Sequence, residues 1–429
     1  MIMVSIGLLG TLIVLLFLKM PIPLAMGIAV LVGCWLGGFP VYILAQGIVD
    51  GSMTWSLLSI FFFIMAGNIM NSCGIAERIF AFARACVGHW KGGLAHVNVL
   101  CSMIFAGISG SAAADCAALG PIEIKSMTDS GYDLKYSTGI TLASSMIGPI
   151  IPPSVSFILY GVMANVSIAK LLRAGIIPGV IIGLGLMLTS ARIAHRLPAK
   201  FPREERMPMK RRLGIFKTAV WALLAPVIIL YGMTSGYVSP TEAGVVAVLY
   251  SLVLGVCYRT LTMKNLWTVI VSSMFTAANS LILFGIASTM SYILTLERTP
   301  VIMAEFVLGL TQNKWIILVL VNILLLLLGT ITSAASIMIL LTPILVPLMQ
   351  RVGVDPVQLG VLMAFALTIG IATPPVGIGL FILSDITKQR VEDVVRGVAP
   401  FLPTLILMLL LLTFIPQLSL WLPSLLLPY

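Results

Sequence analysis

Apolar runs long enough to cross a hydrocarbon core of about 30 Å recur along the whole chain, separated by short polar or Gly/Pro-rich breaks. In order they cover 3–18, 21–38, 55–72, a longer stretch 93–128, then 136–165 and 174–196. A basic linker follows (His195 to Lys217, including Lys210-Arg211-Arg212), and the pattern resumes at 214–232, 241–258, 266–292, 314–350, 357–384 and 397–415. Hydrocarbon offers a peptide group no partner, so runs of this kind predict helices and an all-α polytopic membrane protein. The first run has no cation before it, and Lys19 follows it. A first span is therefore expected there, in place of a cleaved signal.

Composition supports lipid as the solvent. Hydrophobic residues make up 59% of the 429 positions and charged residues only 9%, against about 25% charged in a soluble domain. The net charge of +10 resides in short loops between runs, where it reports orientation before any nucleic-acid partner. Cys34, Cys73, Cys86, Cys101, Cys116 and Cys257 are scattered without metal or redox spacing and are expected to pack.

Six runs, a linker and six runs imply duplication. Sliding the chain by 222 positions without gaps sets 107–178 on 329–400, with 16 of 72 pairs identical. That rate is modest, so the identity of the matches decides. Gly107/Gly329, Pro121/Pro343, Gly131/Gly353, Gly148/Gly370, Pro152-Pro153/Pro374-Pro375, Gly175/Gly397 and Pro178/Pro400 coincide. Glycine and proline fix where a backbone bends, so shared punctuation implies a shared path. With 93–128 and 314–350 as re-entrant helical hairpins, 136–165 and 357–384 as broken transmembrane helices, and the linker in the cytoplasm, 20 of the 25 Lys and Arg lie inside. Only Lys170, Arg173, Arg298, Lys314 and Arg351 fall outside, as the positive-inside rule requires. The halves then run in opposite senses as two inverted-topology repeats, 1–196 and 214–429, joined by the basic cytoplasmic linker 197–213.

The breaks carry the chemistry. Gly107-Ile-Ser-Gly-Ser-Ala-Ala-Ala-Asp115 and Gly329-Thr-Ile-Thr-Ser-Ala-Ala-Ser336 suit hairpin tips where two half-helices meet. Gly148-Pro-Ile-Ile-Pro-Pro-Ser154 and Gly370-Ile-Ala-Thr-Pro-Pro-Val-Gly377 interrupt the spans opposite. Unwound backbone at membrane depth persists where its free groups face a cavity or an ion. Na⁺ is satisfied by carbonyls and hydroxyls, and each half offers them: Ser109, Ser111 and Gly148 to Pro152; Gly329, Thr332, Ser333, Gly370 and Thr373. Half-helix N-termini favour an anionic substrate. Close packing of small residues and simple proline kinks would explain one such motif, but not four in register.

At these motifs the chain resembles the large membrane subunit of tripartite ATP-independent periplasmic (TRAP) transporters. Phe63-Ile-Met-Ala-Gly-Asn-Ile-Met70, Gly92-Gly-Leu-Ala95, Gly107-Ile-Ser-Gly-Ser111, Gly131-Tyr132, Gly148-Pro-Ile-Ile-Pro-Pro-Ser154, Ser239-Pro-Thr-Glu-Ala243, Asp355-Pro356 and Thr373-Pro-Pro-Val-Gly377 carry the resemblance, in order, over nearly the whole chain. It implies a bacterial inner-membrane, multi-pass subunit that works with a small four-span (Q-type) membrane subunit and a periplasmic (P-type) binding protein. It further implies symport: Na⁺-coupled uptake of a small organic acid, such as a C4-dicarboxylate, a sialic acid or another carboxylate. The implied mechanism is an elevator, with a transport domain moving against a scaffold. No enzymatic activity and no cofactor beyond the coupling Na⁺ are expected. Carried over by position, one Na⁺ site involves Ser109, Gly148, Ile151 and Pro152, with Ser111 beside them; the other involves Gly329, Gly370, Thr373 and Val376, with Thr332 beside them. Many relatives carry an acidic residue at the second tip, where this chain has Ser333.

Asp115 lies just past the first tip in an apolar stretch, where an acid is costly and favours a site role. Ser154, Ser333 and Ser336 join it as candidate substrate contacts. Asp385 is expected to meet solvent and Glu242 to cap a helix, while His89 and His96 look interfacial. Ser167 to Arg173 and Lys388 to Arg396 read as amphipathic interfacial arms. Trp35, Trp55, Trp90, Trp267, Trp315 and Trp421 fall near span ends, as an aromatic belt would place them. Three rival functions remain: a stand-alone cation-coupled anion transporter of similar architecture, an intramembrane enzyme, for which no His/Asp/Glu constellation is evident, and a passive channel.

Overall fold

The computed structural model describes residues 2–18, 20–198, 201–202, 204–234 and 238–426. Lys19 and positions 199, 200 and 203 of the linker lie outside the described residues. The described chain is helical almost throughout. Its first half comprises α1 (Ile2–Phe17), α2 (Ile22–Gly37), α3 (Tyr42–Ser52), α4 (Leu58–Ser72), α5 (Ile75–Val87), α6 (Gly93–Ser109), α7 (Ala112–Asp129), α8 (Leu134–Ser145), α9 (Val155–Ala164) and α10 (Ile168–Arg196). The second half comprises α11 (Met209–Thr234), α12 (Pro240–Cys257), α13 (Met263–Leu296), α14 (Thr299–Leu310), α15 (Lys314–Gly329), α16 (Ala334–Arg351), α17 (Pro356–Gly370), α18 (Ile378–Thr387), α19 (Val391–Val398), α20 (Leu402–Phe414) and α21 (Gln417–Leu426). Among the described residues six helices are long and apolar enough to cross a membrane, or up to eight if each of two bent pairs is one span.

Local sequence explains the boundaries. α7 starts at Ala112 and α16 at Ala334, a spacing of 222 residues, and both end 17 positions later. The interrupted spans begin alike: Asp133 accepts the Tyr136 amide at 3.1 Å and Asp355 accepts the Val357 amide at 2.7 Å. Such a cap contributes about 1 kcal/mol by satisfying an N–H that the first turn leaves free. α8 stops at Ser145 and the chain resumes as α9 only at Val155; α17 stops at Gly370 and resumes as α18 at Ile378. Between them, Pro152-Pro153 and Pro374-Pro375 are both cis. Prolines that donate no hydrogen bond hold the helix apart there. At the first hairpin tip Gly110 adopts φ +61°, a left-handed turn that lets α6 end and α7 begin two residues later.

Packing interlocks the halves. α8 packs on α6 and α7, and α17 packs on α15 and α16. Across halves, α9 packs on α16 and α18 on α7, while α8 meets α19 and α17 meets α10. The Tyr160 hydroxyl donates to the Pro356 carbonyl at 2.6 Å, and Lys135 pairs with Asp393 at 2.8 Å across the α8–α19 contact. Reciprocal contacts of this kind are what a two-fold relation between halves generates.

Several expectations need correction. Residues 42–52 and 73–92, which lie between the apolar runs, hold α3 and α5, because charged or short amphipathic stretches lack a span-length apolar signal. The linker is shorter than 197–213, since α11 begins at Met209 and takes Lys210, Arg211 and Arg212 into its first turn. Ser167 to Arg173 is no separate arm. Ser167 caps one continuous 29-residue helix, and Arg173 is buried at 3% exposure among apolar neighbours. In the second half the arm is distinct, α19 meeting α20 at 55°. His96 is buried, not interfacial, with its Nε2 3.2 Å from the Lys91 carbonyl and its ring edge-on to Trp90. Asp385 is exposed beside Lys388 at 2.7 Å, and Glu242 completes a capping box with Ser239.

Candidate functional site

The two tips and the two breaks converge. Gly107 lies against Pro226 of α11, with the Pro152 carbonyl next, and Gly110 lies against Pro153, Ser154 and Val155. In the second half, Gly370 abuts the Gly329 backbone so closely that a Cβ there would collide with its carbonyl carbon. The Gly377 amide donates to the Thr330 carbonyl at 2.9 Å. Each tip is thereby seated in the break of its own half.

The sequence-derived positions distribute unevenly. In the first half, Gly148 and Pro152 are buried, Ile151 and Ser111 are partly buried, and Ser109 donates to the Asp115 carboxylate. The other Asp115 oxygen faces Gly148, where any Cβ would strike it. Asp115 is only 1% exposed, and that oxygen has no hydrogen-bond partner. In the second half, Thr373 donates to the Ile369 carbonyl at 3.0 Å, and Val376 is 39% exposed beside exposed Pro374 and Pro375. Thr332 lies partly exposed in the bend before Ser333. Ser333 caps the Ser336 amide, and the two hydroxyls are 2.7 Å apart. Ser154 is fully buried, donating to the Pro149 carbonyl at 2.5 Å and capping Phe157, so it faces the break and not open space.

A cavity of about 420 Å³ joins these parts. Both tips reach it, through Ser109–Ala114 and Ser333–Ala335, as do both breaks, through Pro149 and Ile371. α4 contributes Asn68 and Asn71, and α13 contributes Thr276 and Ser280. Asn68 also donates to Ser273 at 2.9 Å, tying α4 to α13. Sequence reasoning quoted Asn68 only inside a motif. A lone amide in the run Phe63 to Met70 was the available signal, since a polar group at membrane depth requires a partner or a cavity. The N-terminus of α7 opens onto the cavity with no side-chain cap from Ser111. Its unsatisfied amides and positive dipole end suit an anion. A wider cleft of about 670 Å³ runs between Gly161–Ala169, Val238 and Ser288, but contains neither tip.

A helical bundle with two hairpin tips meeting at one largely apolar cavity, into which a few hydroxyls and amides project, defines a membrane transporter of the hairpin-containing kind. The solved structure of the YdaH transporter of Alcanivorax borkumensis shares the fold, with TM-score 0.62, 15% identity and 86% of each chain covered. The family model of the DctM component of tripartite ATP-independent periplasmic transporters matches residues 9–418. The sialic acid TRAP transporter large permease protein SiaM of Vibrio cholerae is 41% identical over 392 residues, 90% of each chain. The 2,3-diketo-L-gulonate TRAP transporter large permease protein YiaN of Escherichia coli is 38% identical over 385 residues, again 90% of each. The chain belongs to the DctM family: it is a multi-pass large membrane subunit of a TRAP transporter.

Proposed function

We propose that this subunit takes up a small organic acid by Na⁺-coupled secondary transport across the bacterial inner membrane. The acid is delivered by a periplasmic binding protein, and a small four-span membrane subunit completes the assembly. The observation that carries the proposal is the tip-lined cavity with the uncapped N-terminus of α7 opening into it. A carboxylate is the ligand such a helix end favours, and about 420 Å³ is within the range of small-ligand sites. The relatives named for sialic acid and 2,3-diketo-L-gulonate both handle acidic sugars, which favours a sugar acid, with a C4-dicarboxylate as the smaller alternative.

Two Na⁺ positions flank the cavity in this proposal: Ser109, Ser111, Gly148, Ile151 and Pro152 at one, Gly329, Thr332, Gly370, Thr373 and Val376 at the other. Ser333 lines the substrate cavity, and Asp115 backs the first ion position from behind the tip. Residues 1–196 and 214–429 act as inverted repeats, for which the reciprocal α9–α16 and α18–α7 contacts are the support. The crossed hairpins move as a transport domain against a scaffold that includes α4 and α13. The test is uptake into proteoliposomes of the chain with and without its small membrane subunit and binding protein, under an inward Na⁺ gradient. Uptake by this chain alone, or uptake indifferent to Na⁺, overturns the proposal. Thermal stabilisation of the purified binding protein by a panel of organic acids identifies the substrate.

A further inference from the structure

The interior of the first hairpin holds polar chemistry that the tips do not use. Glu123, on α7 two turns beyond Asp115, is 0% exposed, and neither carboxyl oxygen has a hydrogen-bond partner. The carboxyl lies beside Cys101 of α6 and Thr141 of α8 without completing a bond to either. Around it runs a chain of oxygen-bearing groups. Asn98 donates to Thr141 at 2.6 Å, Ser144 donates to the Asn98 side-chain carbonyl at 2.7 Å, and Ser102 donates to Ser144 at 2.9 Å. All of these residues are buried between α6, α7 and α8.

The second half shows that a hairpin of this shape does not need them. At the positions 222 residues on, Glu123 becomes Leu345, Asn98 becomes Leu320, Cys101 becomes Ile323, Ser102 becomes Leu324, Thr141 becomes Met363 and Ser144 becomes Ala366. On α16 and α17 the counterparts Leu345, Met363 and Ala366 are apolar and buried, whereas Leu320, Ile323 and Leu324 of α15 are exposed. An unpaired carboxylate buried at that depth is strongly disfavoured unless a positive charge accompanies it. Among the described residues none supplies one. Of the elements packed on α7, α6 carries the buried His96 and Cys101, α5 carries Glu77, Arg78 and Arg84, α8 carries Lys135 and α18 carries Asp385, and the titratable groups that act on Glu123 are Cys101 and Asp115.

We propose that Glu123, with Asn98 and Thr141, forms a buried site for one monovalent cation, Na⁺ or a proton, separate from the two hairpin-tip positions. Hard oxygen donors from an acid, an amide and a hydroxyl suit either. Occupancy neutralises the hairpin interior before it moves relative to lipid. The site is additional to the tip positions, so its failure leaves Na⁺ coupling at the tips intact.

The test is the unfolding midpoint of the full chain in detergent, titrated with NaCl against choline chloride at constant ionic strength, across pH 5.5 to 8.5 as a roughly chosen window around neutrality. Glu123→Gln is compared with the unaltered chain. Loss of about half of the Na⁺-dependent rise identifies Na⁺ as the occupant. Loss of the pH response with the Na⁺ response intact identifies a proton. Both responses unchanged overturn the site. Should Glu123→Gln not accumulate, Asn98→Leu and Thr141→Val, which keep the acid, are read in the same titration, and unchanged responses there also overturn it.

Discussion

The two hairpin sites share a backbone and differ in chemistry. Each has a glycine-bearing tip pressed into a Pro-Pro break, with α7 and α16 spanning the same positions 222 residues apart. The first break is buried, and an acid sits behind its tip. The second is open at Pro374 to Val376, and the residue corresponding to Asp115 is Ile337. Glycine and proline therefore dictate the path, while the side chains lining it are free to diverge. Of the two proposed ion positions, the acid-backed one is therefore expected to hold Na⁺ more firmly.

The largest expected effect tests what the two sites share. Gly148→Val places a side chain against Asp115, and Gly370→Val drives one into the Gly329 backbone. Each should lower Na⁺-driven uptake more than about 100-fold while the subunit still inserts; uptake within a few-fold of normal would refute close backbone approach. The next effect tests the difference. Asp115→Asn keeps shape but replaces the carboxyl that accepts the Ser109 hydroxyl with an amide. Its half-saturating Na⁺ concentration should rise about tenfold, and an unaltered Na⁺ titration would mean that the acid does not support the ion. Ser333→Ala, at the tip without an acid, should shift the same titration only about two- to fivefold; a shift as large as that of Asp115→Asn would erase the asymmetry.

The smallest effect lies outside the membrane. The hydrogen bond from Lys135 holds the Asp393 carboxyl below the usual carboxylate value. A depressed folded-state value means stability present above the unfolded carboxylate value near 3.9 and lost as pH falls through the folded one. Lys135→Met should thus lower the unfolding midpoint at pH 7 by no more than about 2 °C, with the difference from the unaltered chain vanishing in acid. A difference that persists once the carboxyl is protonated in both the folded and the unfolded chain would assign it to packing.

Much of this was legible in the sequence, for identifiable reasons. Tips and breaks are written in Gly and Pro, whose backbone constraints act locally, so Gly107 to Ser111 and Pro152-Pro153 were placed without tertiary knowledge. α3 and α5 escaped because an interfacial helix such as Ile75–Val87, carrying Glu77, Arg78 and Arg84, has amphipathic periodicity without length. Arg173 misled because a cation near a helix start usually reaches water, whereas α10 runs on through it. The cavity walls from α4 and α13 were illegible in any one segment. Asn68 and Thr276 lie more than 200 residues apart in sequence, and only packing brings them to one space.

The cross-half contacts set a timetable for biosynthesis. α7 is complete at Asp129, but the helix that covers it, α18, begins at Ile378. At about 5–20 residues per second, the nascent first hairpin waits tens of seconds with α8 in place but without α18. α9 likewise waits for α16. The first half therefore enters the bilayer as an unfinished surface, and its maturation is gated by translation of the second. Ribosome speed and membrane-insertion factors, acting before any substrate is present, become determinants of how much working transporter a cell holds.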